Sequence, residues 1–299
     1  MRDQLVLPEP AAGIYAQTRE VLHEYLTPLA GDEGWWIGGG TVLAAQWRHR
    51  RSTDLDIFLP SSRSIAPLTP RHGGTFLDRM HASGARSVAV QSRSIKLGFE
   101  HGRIEITALD PVPALDPRDV EIDGRAVRVL REASIMTGKM QRCHLQMRTL
   151  PRDVFDMCVA SVAAPAALRC AVNHTPPEQR LAIAQMLSAG ASDYRDSAAQ
   201  AILEPAPPYA HFLRNGAAIA AALLDDESYD GEHAIEYSGG RATVTVRTRG
   251  GAMVRRSSHD GAGLARAMRE MGLEAALWGP DGTTAQFIAA ADGQIAHTS

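Results

Sequence analysis

The segment that decides the fold runs from residue 38 to residue 58 and reads GGGTVLAAQWRHRRSTDLDIF. Its three glycines allow unusual φ angles and close approach to the backbone. The stretch TVLAAQWRH predicts a short helix with Thr41 near its N-cap, and DLDIFL, residues 54–59, predicts a half-buried strand. The N–H groups and positive dipole end of that helix would face the glycine turn, which suits a phosphate.

Two carboxylates leave the predicted strand on one face, because Asp54 and Asp56 stand two residues apart. They repel each other unless a cation lies between them, and a hard divalent ion suits their oxygens. With a triphosphate over the glycine turn, this would be a site for phosphoryl or nucleotidyl transfer. The pattern also fits a tight turn followed by an ordinary edge strand. Glu105, between apolar neighbours in RIEIT, can join the aspartates if its strand pairs with theirs.

The bulk composition excludes several classes of protein. The 299 residues are 44% hydrophobic and 22% charged, and no run approaches the roughly 18 apolar residues of a membrane span. Without such a run, we expect no membrane partner. The three cysteines show no metal-binding spacing, so we expect a reducing, cytoplasmic location. The net charge of -3 excludes a chain that is basic throughout.

Lysine is rare in this chain, since only Lys96 and Lys139 are lysines among 31 basic residues. The bias toward arginine carries no functional meaning by default. A lysine that persists indicates a need for a compact, flexible ammonium in place of a planar guanidinium. Both positions are therefore candidates for a functional role.

Periodicity divides the chain into three parts and predicts an α+β fold. Residues 1–130 mix helices with a sheet, including a hairpin that turns at Asp123-Gly124. Residues 131–228 read as helices. Residues 229–299 read as a small α+β appendage with a helix over 263–272 and two strands within 275–293. We expect a mixed sheet flanked by helices, then a helical domain, then a C-terminal α+β domain.

The opening segment resembles the signature of the DNA polymerase β-like nucleotidyltransferase superfamily, and more narrowly its AbiE-type (AbiEii-like) toxin branch. That branch typically shows GGT, a helix ending in His-Arg, a serine and DLDxF, and the matching residues are His49, Arg50, Ser52, Asp54, Asp56 and Phe58. Two further elements match through Lys96 and Glu105, and through Lys139, Arg148, Arg152, Asp153 and Asp156. The resemblance covers residues 33 to 160 well, and both lysines fall on its motif positions.

The resemblance implies a divalent metal and a bound nucleoside triphosphate. Asp54 and Asp56 would hold Mg²⁺ or Mn²⁺, while Glu105 would bind a metal and help to deprotonate the attacking hydroxyl. The β- and γ-phosphates of the NTP would lie in a cradle formed by Gly39, Gly40 and Thr41.

Five other matched residues receive roles in the same way. Lys139 would neutralise the charge of the triphosphate. Lys96 would touch phosphate or orient an acid, and Asp153 would position Lys139 or act on the acceptor. Arg148 and Arg152 would contact the nucleotide or the acceptor.

The leading hypothesis is a metal-dependent nucleotidyltransferase toxin that transfers an NMP to a hydroxyl of RNA, at a tRNA end. A toxin–antitoxin or phage-defence system with a separately encoded antitoxin follows from the resemblance alone. The alternatives are a protein or aminoglycoside-like acceptor, and a nucleotide- or partner-binding module without turnover. Residues 241–270 carry seven arginines against two acids, which fits either an RNA-binding face or a solvated surface.

Overall fold

The structure is a computed structural model that describes residues 3–31, 34–72, 74–109, 116–225, 229–238, 241–248, 253–259 and 263. The chain divides into two compact units, residues 1–135 and residues 136–299. The division into three domains, 1–130, 131–228 and 229–299, stays a prediction.

The first unit is built on a mixed sheet of eight strands. The strands are β1 (Asp3–Gln4), β2 (Trp36–Gly38), β3 (Asp54–Leu59), β4 (Ser87–Val90), β5 (Ser94–Gly98), β6 (Arg103–Ala108), β7 (Pro117–Ile122) and β8 (Arg125–Leu130). Their order is β1-β7-β8-β2-β3-β6-β5-β4. The pairs β1/β7, β2/β8 and β3/β6 are parallel, and the other neighbours are antiparallel. The expected mixed sheet is therefore confirmed.

Three helices accompany this sheet, namely α1 (Ala11–Ala30), α2 (Gly39–Trp47) and α3 (Thr75–Ala82). Helix α1 contacts β3 and β6, and it buries the apolar positions that predicted it, among them Leu22 and Leu26. Helix α2 is nine residues long and buries Val42 and Leu43. Apolar burial on one side thus anchors α1 and α2 to the sheet that carries the acids, whereas α3 contacts α1.

The hairpin between β7 and β8 forms where the sequence placed it. Asp123 and Gly124 both have positive φ, 50° and 77°. Two successive left-handed residues are the geometry of a two-residue type I′ turn, which favours Asp-Gly.

The second unit combines helices with a small antiparallel sheet. Its elements follow α4 (Glu132–Gln146), in whose first turn the boundary between the units falls. They are α5 (Pro151–Ala163), α6 (Pro165–His174), α7 (Pro177–Ala189), α8 (Ala191–Ala201), α9 (Phe212–Leu224), β9 (Tyr229–Ser238), β10 (Arg241–Thr248) and β11 (Met253–Ser258). The sheet order is β11-β10-β9. The predicted helix at 263–272 and the strands within 275–293 lie outside the described residues.

Helix α8 lies in the part of the chain that was read as helices, although its own residues carry no helical pattern of apolar side chains. Its residues ASDYRDSAAQA bury only Tyr194 and Ala198, so they show no apolar stripe. The buried Tyr194 instead packs on α9, where its hydroxyl donates to the carbonyl oxygen of Phe212 at 2.9 Å. Within the described residues, no helix is long and apolar enough to cross a membrane.

Candidate active site

A row of paired residues crosses four neighbouring strands of the first unit. In register, Gly38 of β2 pairs with Asp56 of β3, Asp56 with Glu105 of β6, and Glu105 with Lys96 of β5. Residues paired across strands project from the same face of a sheet. Glu105 therefore lies beside Asp56, a placement that the sequence permitted but could not fix.

The three acids of this face, Asp54, Asp56 and Glu105, are called the acid face below. Two of them meet a cation across a strand. Arg103 Nη2 lies 2.8 Å from Asp54 Oδ2, and Lys96 Nζ lies 3.2 Å from Glu105 Oε1. The side chains of Asp54 and Glu105 are 15% and 23% exposed. The acids thus line an accessible surface, and cations already balance part of their charge.

The glycine turn is packed directly against Asp56. Gly39 has φ +71°, a left-handed conformation that L side chains rarely adopt. A Cβ at Gly39 would overlap Asp56 Oδ2, and one at Gly40 would overlap Arg50 Nη2. Glycine at both positions lets a carboxylate and a guanidinium approach the start of α2.

Thr41 connects the start of α2 to the acid strand. The N-cap of the helix is Gly38, and Thr41 is its third residue. Its buried hydroxyl donates to the carbonyl oxygen of Asp54 and lies 2.8 Å from the Ser52 hydroxyl. The Thr41 side chain therefore holds the two elements together. Only the backbone of Gly39, Gly40 and Thr41 is left to contact a phosphate, through N–H groups of the first turn that have no intrahelical acceptor.

The His-Arg and serine positions between α2 and β3 are buried. His49 is fully buried with its ring edge-on to Trp47 at 5.4 Å, and Arg50 and Ser52 are 6% and 5% exposed. These side chains shape the connection between the helix and the acid strand.

A second group of charges lies in the second unit and is called the charge cluster below. Lys139 Nζ donates to Asp153 Oδ1 at 2.6 Å and lies 2.9 Å from Asp156 Oδ2. Arg142 Nη2 lies 2.5 Å from Asp153 Oδ2. The side chains of Lys139, Asp153 and Asp156 are at most 7% exposed. Asp153 therefore contacts Lys139 directly, and the two roles considered for it stay predictions.

The pKa of Asp153 reflects this arrangement. Burial alone would raise the pKa of the carboxyl, but the charges of Lys139 and Arg142 and the hydrogen bond from Lys139 hold it below its ordinary value. The carboxylate is thus ionised at neutral pH despite its burial.

Arg148 and Arg152 flank the connection from α4 to α5. Arg148 is exposed, and Arg152 is a half-buried second residue of α5. Their contacts with nucleotide or acceptor, like the contact of Lys139 with triphosphate, stay predictions.

Comparison with known proteins identifies the chain. Residues 21–214 match the family described as the nucleotidyl transferase AbiEii toxin of type IV toxin–antitoxin systems. The chain belongs to this family. It is therefore a nucleotidyltransferase, and the resemblance found in its sequence is confirmed. None of the curated proteins matches the sequence.

Three solved structures are similar to the chain. An inferred nucleotidyltransferase from H. pylori matches at 16% identity and a TM-score of 0.40, over 73% of this chain and 96% of that one. JHP933 from Helicobacter pylori matches at 15% identity and a TM-score of 0.36, over 98% and 97%. The nucleotidyltransferase toxin MenT4 from Mycobacterium tuberculosis matches at 17% identity and a TM-score of 0.34, over 69% and 72%.

Two residues of this AbiEii-family chain contact the candidate residues and were missed from its sequence. Arg103 stands two positions before Glu105 on β6, so strand alternation places it on the acid face. Arg142 stands three positions after Lys139 on α4, so helix periodicity places it on the same side. Both periodicities were visible in the sequence, but neither reveals which acid the arginine meets.

The donor atoms of the acid face fit a divalent cation. Carboxylate oxygens are the ligands that Mg²⁺ and Mn²⁺ prefer. Within the described residues, no three His, Cys, Asp or Glu side chains form a ready metal-binding group. Asp54 is paired with Arg103 and Glu105 with Lys96, so each of these carboxylates already faces a cation. The residues fit a metal in chemistry and register, and their side chains would have to turn to hold one.

Proposed function

We propose that this nucleotidyltransferase transfers an NMP from an NTP to a hydroxyl of RNA, at a tRNA end, with a divalent metal held by the acid face. The observation that carries the proposal is the row in which Asp56 lies beside Glu105 and against the glycine turn. In this row, the acids that would hold a metal lie beside the N-terminus of the helix whose N–H groups would bind the phosphates. Mg²⁺ is the metal we favour, and Mn²⁺ would serve in the same way.

The reaction is a displacement at the α-phosphorus of the NTP. The acceptor oxygen bonds to that phosphorus, the bond to the bridging oxygen of the β-phosphate breaks, and pyrophosphate leaves. A divalent metal, when bound, supplies charge stabilisation for the phosphates. Asp54 and Asp56 bind and orient it, and Glu105 takes the proton of the acceptor hydroxyl. The backbone of Gly39, Gly40 and Thr41 positions the phosphates.

The remaining matched residues are assigned to the same reaction. Lys96 holds Glu105 in the row through their ion pair. In the second unit, Asp153 orients Lys139 for the triphosphate, and Arg148 and Arg152 contact nucleotide or acceptor. A type IV family implies an antitoxin partner. We assign this chain to a cytoplasmic system of that kind, active in toxin–antitoxin or phage defence.

The test is a transfer assay with each α-labelled NTP, Mg²⁺, total RNA and cell extract. We expect label from one NTP in RNA of tRNA size, and no label with an Asp54→Asn/Asp56→Asn variant. The matched control is Glu100→Gln, an exposed acid in the turn after β5, which should transfer normally.

Three outcomes would contradict the proposal in different ways. Label in a protein band would move the acceptor to a side-chain hydroxyl. Full transfer by the Asp54→Asn/Asp56→Asn variant would remove the acid face from the mechanism. If NTP binds but no fraction is labelled, the acceptor would be a small molecule, or the protein would be a binding module without turnover.

The pair of Arg103 and Asp54 predicts competition between arginine and metal. An Arg103→Gln variant should bind Mn²⁺ about fivefold more tightly without nucleotide, because a partly exposed ion pair contributes up to about 1 kcal/mol. Calorimetric titration measures this. Arg86→Gln, which removes an exposed pair with Glu100, is the control and should bind Mn²⁺ like the parent. Weaker Mn²⁺ binding by Arg103→Gln would show that Arg103 instead orients Asp54 for the metal.

A further inference from the structure

The small sheet of the second unit collects arginines on one face. Arg241, Thr243, Thr245 and Arg247 alternate along β10 and project together. Thr245 pairs with Arg255 of β11, so Arg255 joins them, whereas Arg256 pairs with Val244 on the opposite face. The face that carries Arg241, Arg247 and Arg255 is called the basic face below.

The basic face is directed to solvent. All three of its arginines are exposed, and so are the β9 residues Glu236 and Ser238 that pair onto it. On the opposite face Val244 is fully buried. The basic face therefore presents its three arginines to solvent around the buried Thr245, with Glu236 as the acid among its described side chains, whereas the opposite face combines the buried Val244 with the exposed Arg256.

Size and chemistry of the basic face fit a nucleic-acid backbone. Arg241 and Arg247 stand six residues apart, which is about 20 Å along a strand. Arg255 lies diagonal to Arg247, about 7 to 8 Å away. The hydroxyls of Thr243 and Ser257, 2.9 Å apart, lie between the arginines and add hydrogen-bonding groups. Arg241 Nη2 also lies 3.3 Å from His259 Nε2, which adds a hydrogen-bonding group at one end of the face.

The same face does not suit a membrane surface or the stacking of bases. A membrane surface requires apolar side chains beside the cations, and Met253 is the one exposed large apolar residue among the described side chains of this face. Platforms for base stacking are built mainly on Phe, Tyr and Trp, and the described side chains of this face include none of these. Contacts would therefore be to phosphates and sugars, independent of sequence.

We propose that the basic face binds the phosphate backbone of the RNA that accepts the nucleotide. The identity of the partner rests on the function proposed above, and the face itself rests on register and exposure. The acid face performs transfer, whereas the basic face holds the body of the acceptor.

The experiment measures binding of fluorescent bulk tRNA to the full chain by anisotropy, without NTP or metal, from 50 to 200 mM salt. An Arg241→Gln/Arg247→Gln/Arg255→Gln variant should bind at least about tenfold more weakly at 50 mM salt. The slope of log affinity against log salt should fall by about two, because each phosphate contact contributes about 0.7 to 0.9. The control is Arg256→Gln. Arg256 is an exposed arginine that lies on β11 beside Arg255 but on the opposite face, and we expect this variant to bind like the parent.

Equal binding by the triple variant and the parent would overturn the proposal, and so would an equal loss in Arg256→Gln. Vesicles of phosphatidylserine and phosphatidylcholine are a second probe. If the parent binds vesicles but not tRNA, and the triple variant no longer binds vesicles, the partner of the basic face would be a membrane and not RNA. If the parent labels RNA in the transfer assay but the triple variant binds tRNA normally, the basic-face proposal is wrong and the proposed function is unaffected. If the parent labels no RNA, but the triple variant alone binds tRNA more weakly, the proposed function is wrong and the basic face still binds RNA.

Discussion

We expect Gly39→Ala to lower kcat/KM for NMP transfer by about 100-fold or more, because misplacement of a reacting group by about 1 Å can have that effect. Gly39 has φ +71°, and a Cβ there would lie less than 3.0 Å from the Asp56 carboxylate, a distance that Cβ atoms essentially never show. Asp56 would have to turn away from the glycine turn, or the start of α2 would have to move. Either change separates the acid face from the phosphate cradle.

The control for this prediction is Gly124→Ala in the hairpin of β7 and β8. Gly124 also has positive φ, but nothing lies within 4 Å of the Cβ that it would gain. Both variants carry a backbone strain of about 1 to 2 kcal/mol, so both should lose some stability in a urea titration. Only Gly39→Ala should lose transfer, and equal activities would show that Asp56 is not held by the glycine turn.

The acid strand shows how far sequence alone could predict the site. Alternation along DLDIFL assigned Asp54 and Asp56 to one face, and the structure agrees. The position of Glu105 depended on which strands are neighbours, which is a long-range property that periodicity does not contain. The pairing of β3 with β6 resolves it, and the same pairing brings Arg103 to Asp54.

The two lysines show the same limit from another side. Their rarity among the basic residues marked them as candidates before any contact was known. The structure pairs Lys96 with Glu105, and Lys139 with Asp153 and Asp156. A compact ammonium with three donors can serve two carboxylates at once, as Lys139 does. The sequence could indicate the residue type, but only the packing of α4 and α5 supplies its partners.

Lys139→Met should lower the free energy of unfolding by about 3 to 5 kcal/mol, because it leaves the buried carboxylates of the charge cluster without their shared cation. Asp156 is fully buried and loses an ion pair of 2.9 Å, whereas Asp153 keeps Arg142. Adding Asp156→Leu should recover part of the loss, since it removes a buried charge together with its partner. Urea denaturation of the three proteins measures both effects.

Arg131→Met separates this effect from that of an ordinary ion pair. Arg131 Nε lies 2.8 Å from Asp116 Oδ2, but the two side chains are 50% and 72% exposed. Such a pair contributes at most about 1 kcal/mol, so Lys139→Met should be clearly less stable than Arg131→Met. Equal stability of the two variants would contradict the prediction. A stable Lys139→Met variant that has lost transfer would assign the ammonium to the triphosphate. A destabilised Lys139→Met variant whose folded fraction still transfers would restrict Lys139 to holding α4 against α5.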